Sequence, residues 1–443
     1  MIQSKEYKSR RRSFMNQVGE GSIAIIPGAS EQVRSRDTHY PFRQDSNFSY
    51  LTGFPEPDAL AVFVPGRSQG EFILFCRDKD RTREIWDGYR EGPEGAQKNY
   101  QADDAFPIDD IGDILLGLIE GREKIFFCVG KDNDLDQQVL QWLKDIRAQV
   151  RTGASAPGEI IDPDHILHEM RLIKSAAEIK LMRKASKMSA QAHCRAMVLA
   201  RPGLHEYQLQ SEIEHHFASH GASAPAYSSI VGSGANACIL HYIENRKKMN
   251  DGDLVLIDAG AELAGYAADI TRTFPVNGTF SAEQRAIYQI VLAAQLAAIE
   301  CCRPGTPFDQ PHEASVRVIT QGLIDLGILT GQLDELIEKK AYSEFYMHRA
   351  GHWLGMDVHD VGDYKVDGSN SDWREFEVGM ITTIEPGIYI QPDNEKVDAR
   401  WRGIGVRIED DILICNGGYE VLTADVPKTV EEIEALMSSS KVA

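Results

Sequence analysis

With 443 residues, of which 42% are hydrophobic, 26% charged and 8% aromatic, the chain has the composition of an ordinary globular protein of two or three domains. That composition excludes a disordered or membrane-embedded chain. A formal net charge of −20 argues against nucleic-acid binding, because phosphate contacts need basic clusters. Acidity of this size fits plain solubility as well as the retention of divalent cations. Seven cysteines, at 76, 128, 194, 238, 301, 302 and 415, form no C-x-x-C pair. Neither a disulfide framework nor a zinc–thiolate site is therefore expected, and a reducing compartment follows. The basic start MIQSKEYKSRRRSF leads into no apolar signal-peptide run, and no stretch approaches the length of a membrane span. The expectation is a cytoplasmic protein.

The first third mixes helical and strand patterns. An amphipathic helix is predicted from Lys5 to about Val18, followed by the short apolar strand GSIAIIPG. ALAVFVPGRSQGEFILFC reads as a hairpin turning at Pro65-Gly66, and KIFFCVG as a further buried strand. DLDQQVLQWLKDIRAQV carries helical spacing in Leu135, Val139, Leu140, Leu143 and Ile146. The Gly-, Pro- and small-residue-rich stretch TGASAPGEIIDP is the expected linker. These features define a small N-terminal α/β domain over 1–173.

Past the linker, Ser175 with Glu178 forms a capping box ahead of a long helix that stops at Arg201-Pro202-Gly203. A second helix is predicted from about Glu206 to His220, with His215 and His216 on a solvated face. Ser281 with Gln284 opens a third, closed by Arg303-Pro304-Gly305. Strand pairs lie between and after them: LVLID with YAADITRTF, then MITTIEPGIYI and GVRIEDDILI. The region 174–443 is therefore an α+β domain of antiparallel strands covered by helices.

Five side chains stand where charge or imidazole is costly. Asp258 ends LVLID and Asp269 follows in YAADITRTF, with a turn-like AGAELAG between. A hairpin would bring the two carboxylates together, and a cation between them would remove their repulsion. Two surface aspartates beside a turn explain the pair equally well. Glu385 follows the apolar run ITTI and is fixed by Pro386. In GVRIEDDILI, alternation places Gly405, Arg407, Glu409 and Asp411 on one face and Val406, Ile408 and Asp410 on the other. Charges inside such strands are rarely buried unless paired or ligated, and a structural pair, Arg407–Glu409 or Glu–Lys, is the plainer reading. Asp410 and Asp411 read as structural. His348, His352 and His359 crowd the segment MHRAGHWLGMDVHD. Four carboxylates and one imidazole form a hard, oxygen-rich donor set suited to Mn²⁺ or a similar ion. VGSGAN (231–236) has no Lys-Ser/Thr after it, so it reads as a turn rather than a phosphate loop.

The ordered set IDAG (Asp258), ADITRTF (Asp269), GHWLG (His352), IEPG (Glu385) and RIED (Glu409) resembles the ligand signature of the pita-bread metallopeptidases, peptidase family M24. That group includes methionine aminopeptidase, prolidase and aminopeptidase P. All five ligand positions match. YPFRQDSNFSYLTGF (40–54) and EIWDGYR (84–90) resemble the N-terminal domain of the bacterial aminopeptidase P branch, so the likeness covers essentially the whole chain. It implies a pita-bread (creatinase/aminopeptidase-like) catalytic domain at 174–443 behind a smaller creatinase-N-like domain.

The implied activity is that of a Xaa-Pro aminopeptidase, a hydrolase releasing the N-terminal residue from peptides with proline second. Two divalent metals, Mn²⁺ by expectation, activate the attacking water. The resemblance gives Asp258 to one metal and His352 to the other, with Asp269 and Glu409 bridging. Glu385 is implied as ligand and proton shuttle. His241, in GANACILHY, together with His348 and His359 would hold the substrate and its developing oxyanion. Arg407 either orients Glu409 or binds substrate, and both readings stand. Tyr389 reads as a packing residue. Trp86 resembles a residue that reaches a neighbouring subunit's site in oligomeric relatives, implying a homo-oligomer, dimer or tetramer; a buried packing role is the alternative. Proline specificity comes from the resemblance alone. Prolidase, restricted to dipeptides, is the nearest rival, and a non-catalytic recognition module the rival of another class, disfavoured by the intact ligand set.

Overall fold

The computed structural model describes residues 2–366 and 372–439. The chain divides into two compact units, 1–170 and 171–443.

The first unit is built on a six-stranded mixed sheet. Its order is Asp104–Pro107, Phe72–Cys76, Leu60–Phe63, Ser22–Pro27, Lys124–Phe126 and Glu159–Ile161. The hairpin expected around Pro65-Gly66 is present, with Phe63 opposite Phe72 and Gly66 at φ +80°. Helix Ser4–Val18 opens the unit. Helix Asn133–Ala148 buries Leu135, Val139, Trp142, Leu143 and Ile146, whereas Leu140, named above in the helical spacing, is 56% exposed. The buried positions follow i, i+4, i+7, i+8 and i+11 from Leu135; Leu140, at i+5, falls on the outer face, and Trp142 takes its place.

The expected linker is also corrected. Within TGASAPGEIIDP, Glu159–Ile161 pairs in parallel with Lys124–Phe126 as the edge strand of the sheet. Pro157-Gly158 is the turn into that strand, and the β-branched pair Ile160-Ile161 takes up a ladder that composition alone conceals.

In the second unit, helices pack on small sheets of two or three short strands. Both anticipated capping boxes are formed, Ser175/Glu178 before Ala176–Leu199 and Ser281/Gln284 before Ala282–Ile299. Gln310–Asp325, not anticipated from the sequence, is a further helix with proline in its first turn. The main core joins Leu209, Ile213 and Phe217 of helix Glu206–Ser219 and Ile287 and Val291 of Ala282–Ile299 to Val255, Ile257, Phe274, Val406 and Ile408 of the strands. His216 belongs with this buried stripe at 6% exposure, while its neighbour His215 is exposed. The solvated face expected for both therefore holds for His215 alone, because 209, 213, 216 and 217 share one side of the helix.

Leu254–Asp258 pairs antiparallel with Thr271–Pro275, Asp258 facing Thr271. The connection is longer than a simple hairpin: Ala261–Leu263 and Tyr266–Ala267 form a small arm of their own. Farther on, Ile381–Ile384 pairs with Asp410–Cys415, and Gly387–Tyr389 with Gly405–Arg407. Between these two ladders, Glu385-Pro386 lies across from Ile408-Glu409. Pro386 has no N–H to continue the ladder, and the ladder breaks at the two glutamates.

Candidate active site

The apolar sides of these strands face the helices, and the other sides converge on a cavity of about 510 Å³. Nine of the ten residues singled out from the sequence line it: Asp258, Asp269, His352, Glu385, Glu409, His241, His348, His359 and Arg407. The tenth, Trp86, is on helix Arg81–Asp87 of the first unit and is 82% exposed, which rules out the buried packing role.

Backbone register sets the convergence. Glu385 N–H donates to Ala350 O at 2.7 Å and Thr383 N–H to His352 O at 2.9 Å, so the histidine segment runs beside the strand before Glu385. Glu409 N–H donates to Thr271 O at 3.0 Å, bringing that strand against the one next to Asp258. Glycine permits these close approaches. A Cβ on Gly351 would lie 2.0 Å from Thr383 O, and one on Gly260 would lie 1.7 Å from Ala268 O.

Ligand atoms of Asp269, His352 and Glu409 lie within 4.8 Å of one another. His352 Nδ1 is 2.9 Å from Trp353 O, which leaves Nε2 facing Asp269 Oδ2 at 3.4 Å and Glu385 Oε1 at 3.8 Å. The Tyr227 hydroxyl lies 2.6 Å from Asp258 Oδ1 and 2.5 Å from Asp269 Oδ1. One hydroxyl carries one proton, so it cannot donate to both carboxylates; either a second proton or a shared cation must hold them together. Thr271 Oγ1 donates to Glu409 Oε2 at 2.7 Å.

Arg407 is 3% exposed and fully engaged: Nη2 donates to Asp258 Oδ2 at 2.6 Å, Nη1 to Tyr389 OH at 3.1 Å and Nε to Thr271 Oγ1 at 3.1 Å. Its carboxylate partner is thus Asp258, and it reaches Glu409 only through Thr271. The expected Arg407–Glu409 contact is corrected, because the neighbouring strand presents Asp258 to the same face. Tyr389 does more than pack, its hydroxyl lying 2.9 Å from His348 Nε2. Tyr227, Thr271 and this role of Tyr389 escape sequence reasoning. Tyr227, in APAYSSIVG, sits in no periodic or motif context.

The electrostatics follow from burial of like charges. Burial pushes the Glu385 carboxyl up to about 7, against the pull of His352 and Arg407. Burial, then the charges of Asp269 and Glu385, raise Glu409 well above the carboxylate range. Burial and Asp258 raise Asp269. Burial alone would lower His352, but its hydrogen bond to Asp269 and the charges of Glu385 and Asp269 hold it near 9. Burial, reinforced by Arg407, lowers His348 to about 4; burial and His352 lower His359. These two imidazoles are neutral at pH 7. An imidazolium amid crowded carboxylates does in charge what a cation would do, and the mostly oxygen donor set fits hard divalent ions.

The chain resembles known proteins along its whole length. Residues 180–416 match metallopeptidase family M24, and residues 7–126 match the aminopeptidase P N-terminal domain. The chain is 47% identical over 441 residues to the Xaa-Pro aminopeptidase of Escherichia coli K12, covering 99% of each. It is 33% identical to human Xaa-Pro aminopeptidase 3, covering 98% of this chain and 86% of that one. Among solved structures, an aminopeptidase from Pseudomonas aeruginosa superposes with TM-score 0.98 at 56% identity, covering 100% of this chain and 99% of that one. Zinc-substituted E. coli aminopeptidase P in complex with product gives TM-score 0.96 at 46% identity, covering 99% of each. A pita-bread unit carrying these clustered acids, behind an aminopeptidase P N-terminal domain, places the chain in metallopeptidase family M24.

Proposed function

We propose that this enzyme is a Xaa-Pro aminopeptidase, a metal-dependent hydrolase that releases the first residue from peptides whose second residue is proline. The observation that carries the reading is the convergence of Asp258, Asp269, His352, Glu385 and Glu409 on one cavity, with raised carboxyl pKa values that a bound cation relieves. These five residues hold two divalent ions, with Mn²⁺ preferred on the oxygen-rich donor set. Full-length likeness to Xaa-Pro aminopeptidases supports the tripeptide-cleaving reading over prolidase.

Bound divalent ions supply Lewis acidity that makes water nucleophilic near neutral pH, aminopeptidases being among the familiar two-metal cases. The chain's own residues do the rest. Glu385 accepts the proton of the attacking water and delivers it to the proline nitrogen, which leaves only once protonated. Neutral His359, with His241, donates to the substrate carbonyl and its developing negative charge without adding a competing cation, while His348, whose one N–H is taken by Arg349 O at 2.8 Å, lines the substrate cavity beside them. Tyr389 fixes the imidazole of His348, and Arg407 fixes Asp258. Proline selection matters because an X–Pro bond has no N–H to grip.

The catalytic domain spans 174–443 and the N-terminal domain 1–173, consistent with the family matches. The protein acts in the cytoplasm as a homo-oligomer. Support comes from its seven free cysteines and from the exposed apolar trio Ile85 (81%), Trp86 (82%) and Tyr89 (96%). No described helix is long and apolar enough to cross a membrane.

The test is hydrolysis of Ala-Pro, Ala-Pro-Ala and Ala-Ala-Ala by metal-stripped enzyme with and without Mn²⁺. Mn²⁺-dependent release of alanine from Ala-Pro-Ala, with little from Ala-Ala-Ala, is the expected result. Cleavage of Ala-Pro alone points to prolidase, and no cleavage with any metal overturns the reading. A monomer in sedimentation, fully active with Trp86→Ala, counts against the oligomer.

A further inference from the structure

Between His352 and His359 the chain turns tightly, and the turn is held from beneath by buried charge. Asp360 is the pivot, its side chain 1% exposed. Arg171 Nη2 lies 2.6 Å from its Oδ1, and Lys174 Nζ lies 3.0 Å from its Oδ2. Both cations are themselves buried, at 3% and 1% side-chain exposure. Arg171 also reaches Asp357 at 2.7 Å. Asp360 N–H donates to Trp353 O at 3.0 Å, which draws the two ends of the turn together. A Cβ on Gly355 would lie 2.0 Å from Asp360 Oδ2 and 3.0 Å from Lys174 Cε, so the glycine makes room for the clamp. The far side is tied as well, since Ala267 N–H donates to Gly355 O at 2.9 Å, two residues before Asp269.

Burying two cations on one carboxylate is an expensive way to stabilise a turn; well-packed apolar side chains would serve stability equally well. A buried ion cluster does, however, fix direction, and the residue it fixes is His359. That imidazole immediately precedes Asp360, lines the cavity, and meets His352 edge-on with ring centroids 4.4 Å apart. Its own side chain is exposed, so local packing does not set its position.

We infer that the Arg171–Lys174–Asp360 cluster is a positioning device for the cleavage reaction, holding His359 at the distance from His352 at which it meets the substrate. This rests on the reading of His359 as a substrate-contacting group. Asp360, Arg171 and Lys174 are positioning residues acting through His359, and none of them lines the cavity.

The experiment is a double-mutant cycle on kcat/KM for Ala-Pro-Ala, using Mn²⁺-loaded full-length enzyme of measured metal content with Lys174→Met, His359→Ala and both. Lys174→Met keeps side-chain volume and leaves Arg171 on Asp360. A reacting group displaced by about 1 Å loses up to about 100-fold in rate, so Lys174→Met is expected to lower kcat/KM by about 10- to 100-fold at unchanged metal content. In the His359→Ala background the same change should cost less than about twofold. In a parallel sample loaded with diamagnetic Zn²⁺, the His359 imidazole resonance, assigned by its loss in His359→Ala, should broaden in Lys174→Met while that of His241 does not. Losses that multiply, or a folded Lys174→Met enzyme with full activity, overturn the clamp. An unaffected His359→Ala enzyme instead overturns the role given to His359. Should Lys174→Met fail to fold, Asp357→Asn, which removes only the half-exposed partner of Arg171, runs the same cycle with the same criteria.

Discussion

Metal binding to this site should expel protons, and the number is readable from the cavity. In the metal-free chain His352 holds its proton to about pH 9 and Glu385 to about pH 7. A divalent cation needs the imidazole neutral and the carboxylate ionised. At pH 6 both groups are largely protonated, so binding releases about two protons; at pH 8 only His352 contributes, and release falls to about one. Glu409 and Asp269, raised in the same cluster, can only add to the count. The fractions of the two groups in binding-ready form imply an affinity gain of about 10³- to 10⁴-fold from pH 6 to pH 9. Calorimetric titration of Mn²⁺ into metal-stripped enzyme, in two buffers of different ionisation enthalpy, measures both quantities. Release of fewer than one proton at pH 6, or an affinity flat with pH, would refute the reasoning. The stability sign agrees. Both groups have folded-state values above their ordinary ones, so the folded metal-free chain binds more protons than the unfolded chain. Its melting temperature should fall as pH rises from about 4.5 to 9 and recover on adding metal.

Replacing Glu385 with Gln removes the proton carrier with little change of shape; kcat should fall about 10²- to 10⁴-fold while tripeptide binding, followed calorimetrically, persists. Arg407→Met leaves Asp258 buried without its guanidinium, and the metal-free enzyme should lose about 3–5 kcal/mol of stability in a denaturant titration, part of it restored by saturating Mn²⁺. Tyr227→Phe deletes the hydroxyl shared by Asp258 and Asp269, so metal affinity should drop about 10- to 100-fold in competition with a chelating dye; an unchanged affinity would remove Tyr227 from the ligand support.

What the sequence discloses is what local chemistry determines. The Ser175/Glu178 and Ser281/Gln284 boxes are closed within four residues, and both form as read. Alternation along 405–411 sorts that segment correctly: Arg407 and Glu409 reach the cavity, while Asp410 turns to Arg272 and Lys428 on the other side. What the sequence conceals depends on partners far along the chain. Nothing in GEIIDP reveals that Lys124–Phe126 waits to pair with it. Nothing in APAYSS reveals that Tyr227 will stand between carboxylates 31 and 42 positions away. The choice of Asp258 over Glu409 as the partner of Arg407 is likewise a matter of strand register.

The strongest physical case for a cation comes from comparing how the fold treats its other buried acids. Asp410 is fully buried and meets two built-in cations, Arg272 at 2.7 Å and Lys428 at 2.8 Å, which hold it down at about 2. Glu206 is equally buried and accepts from neutral donors on Ser233, Asn236, Tyr242 and Lys247 N–H. Asp258 has Arg407. Among the described residues, by contrast, Glu409 accepts a side-chain hydrogen bond only from Thr271, and the nearest cationic or imidazole nitrogens to the Glu385 carboxylate are those of His352 at 3.8 Å and His348 at 3.9 Å. The same sequence that supplies cations or full hydrogen-bond sets elsewhere leaves these carboxylates underprovided at one point, where they face each other across a cavity. Burying such charge without compensation is among the costliest arrangements a protein can adopt. A fold that equips Asp410 and Glu206 fully and withholds the same from Glu385 and Glu409 is shaped to receive positive charge from outside.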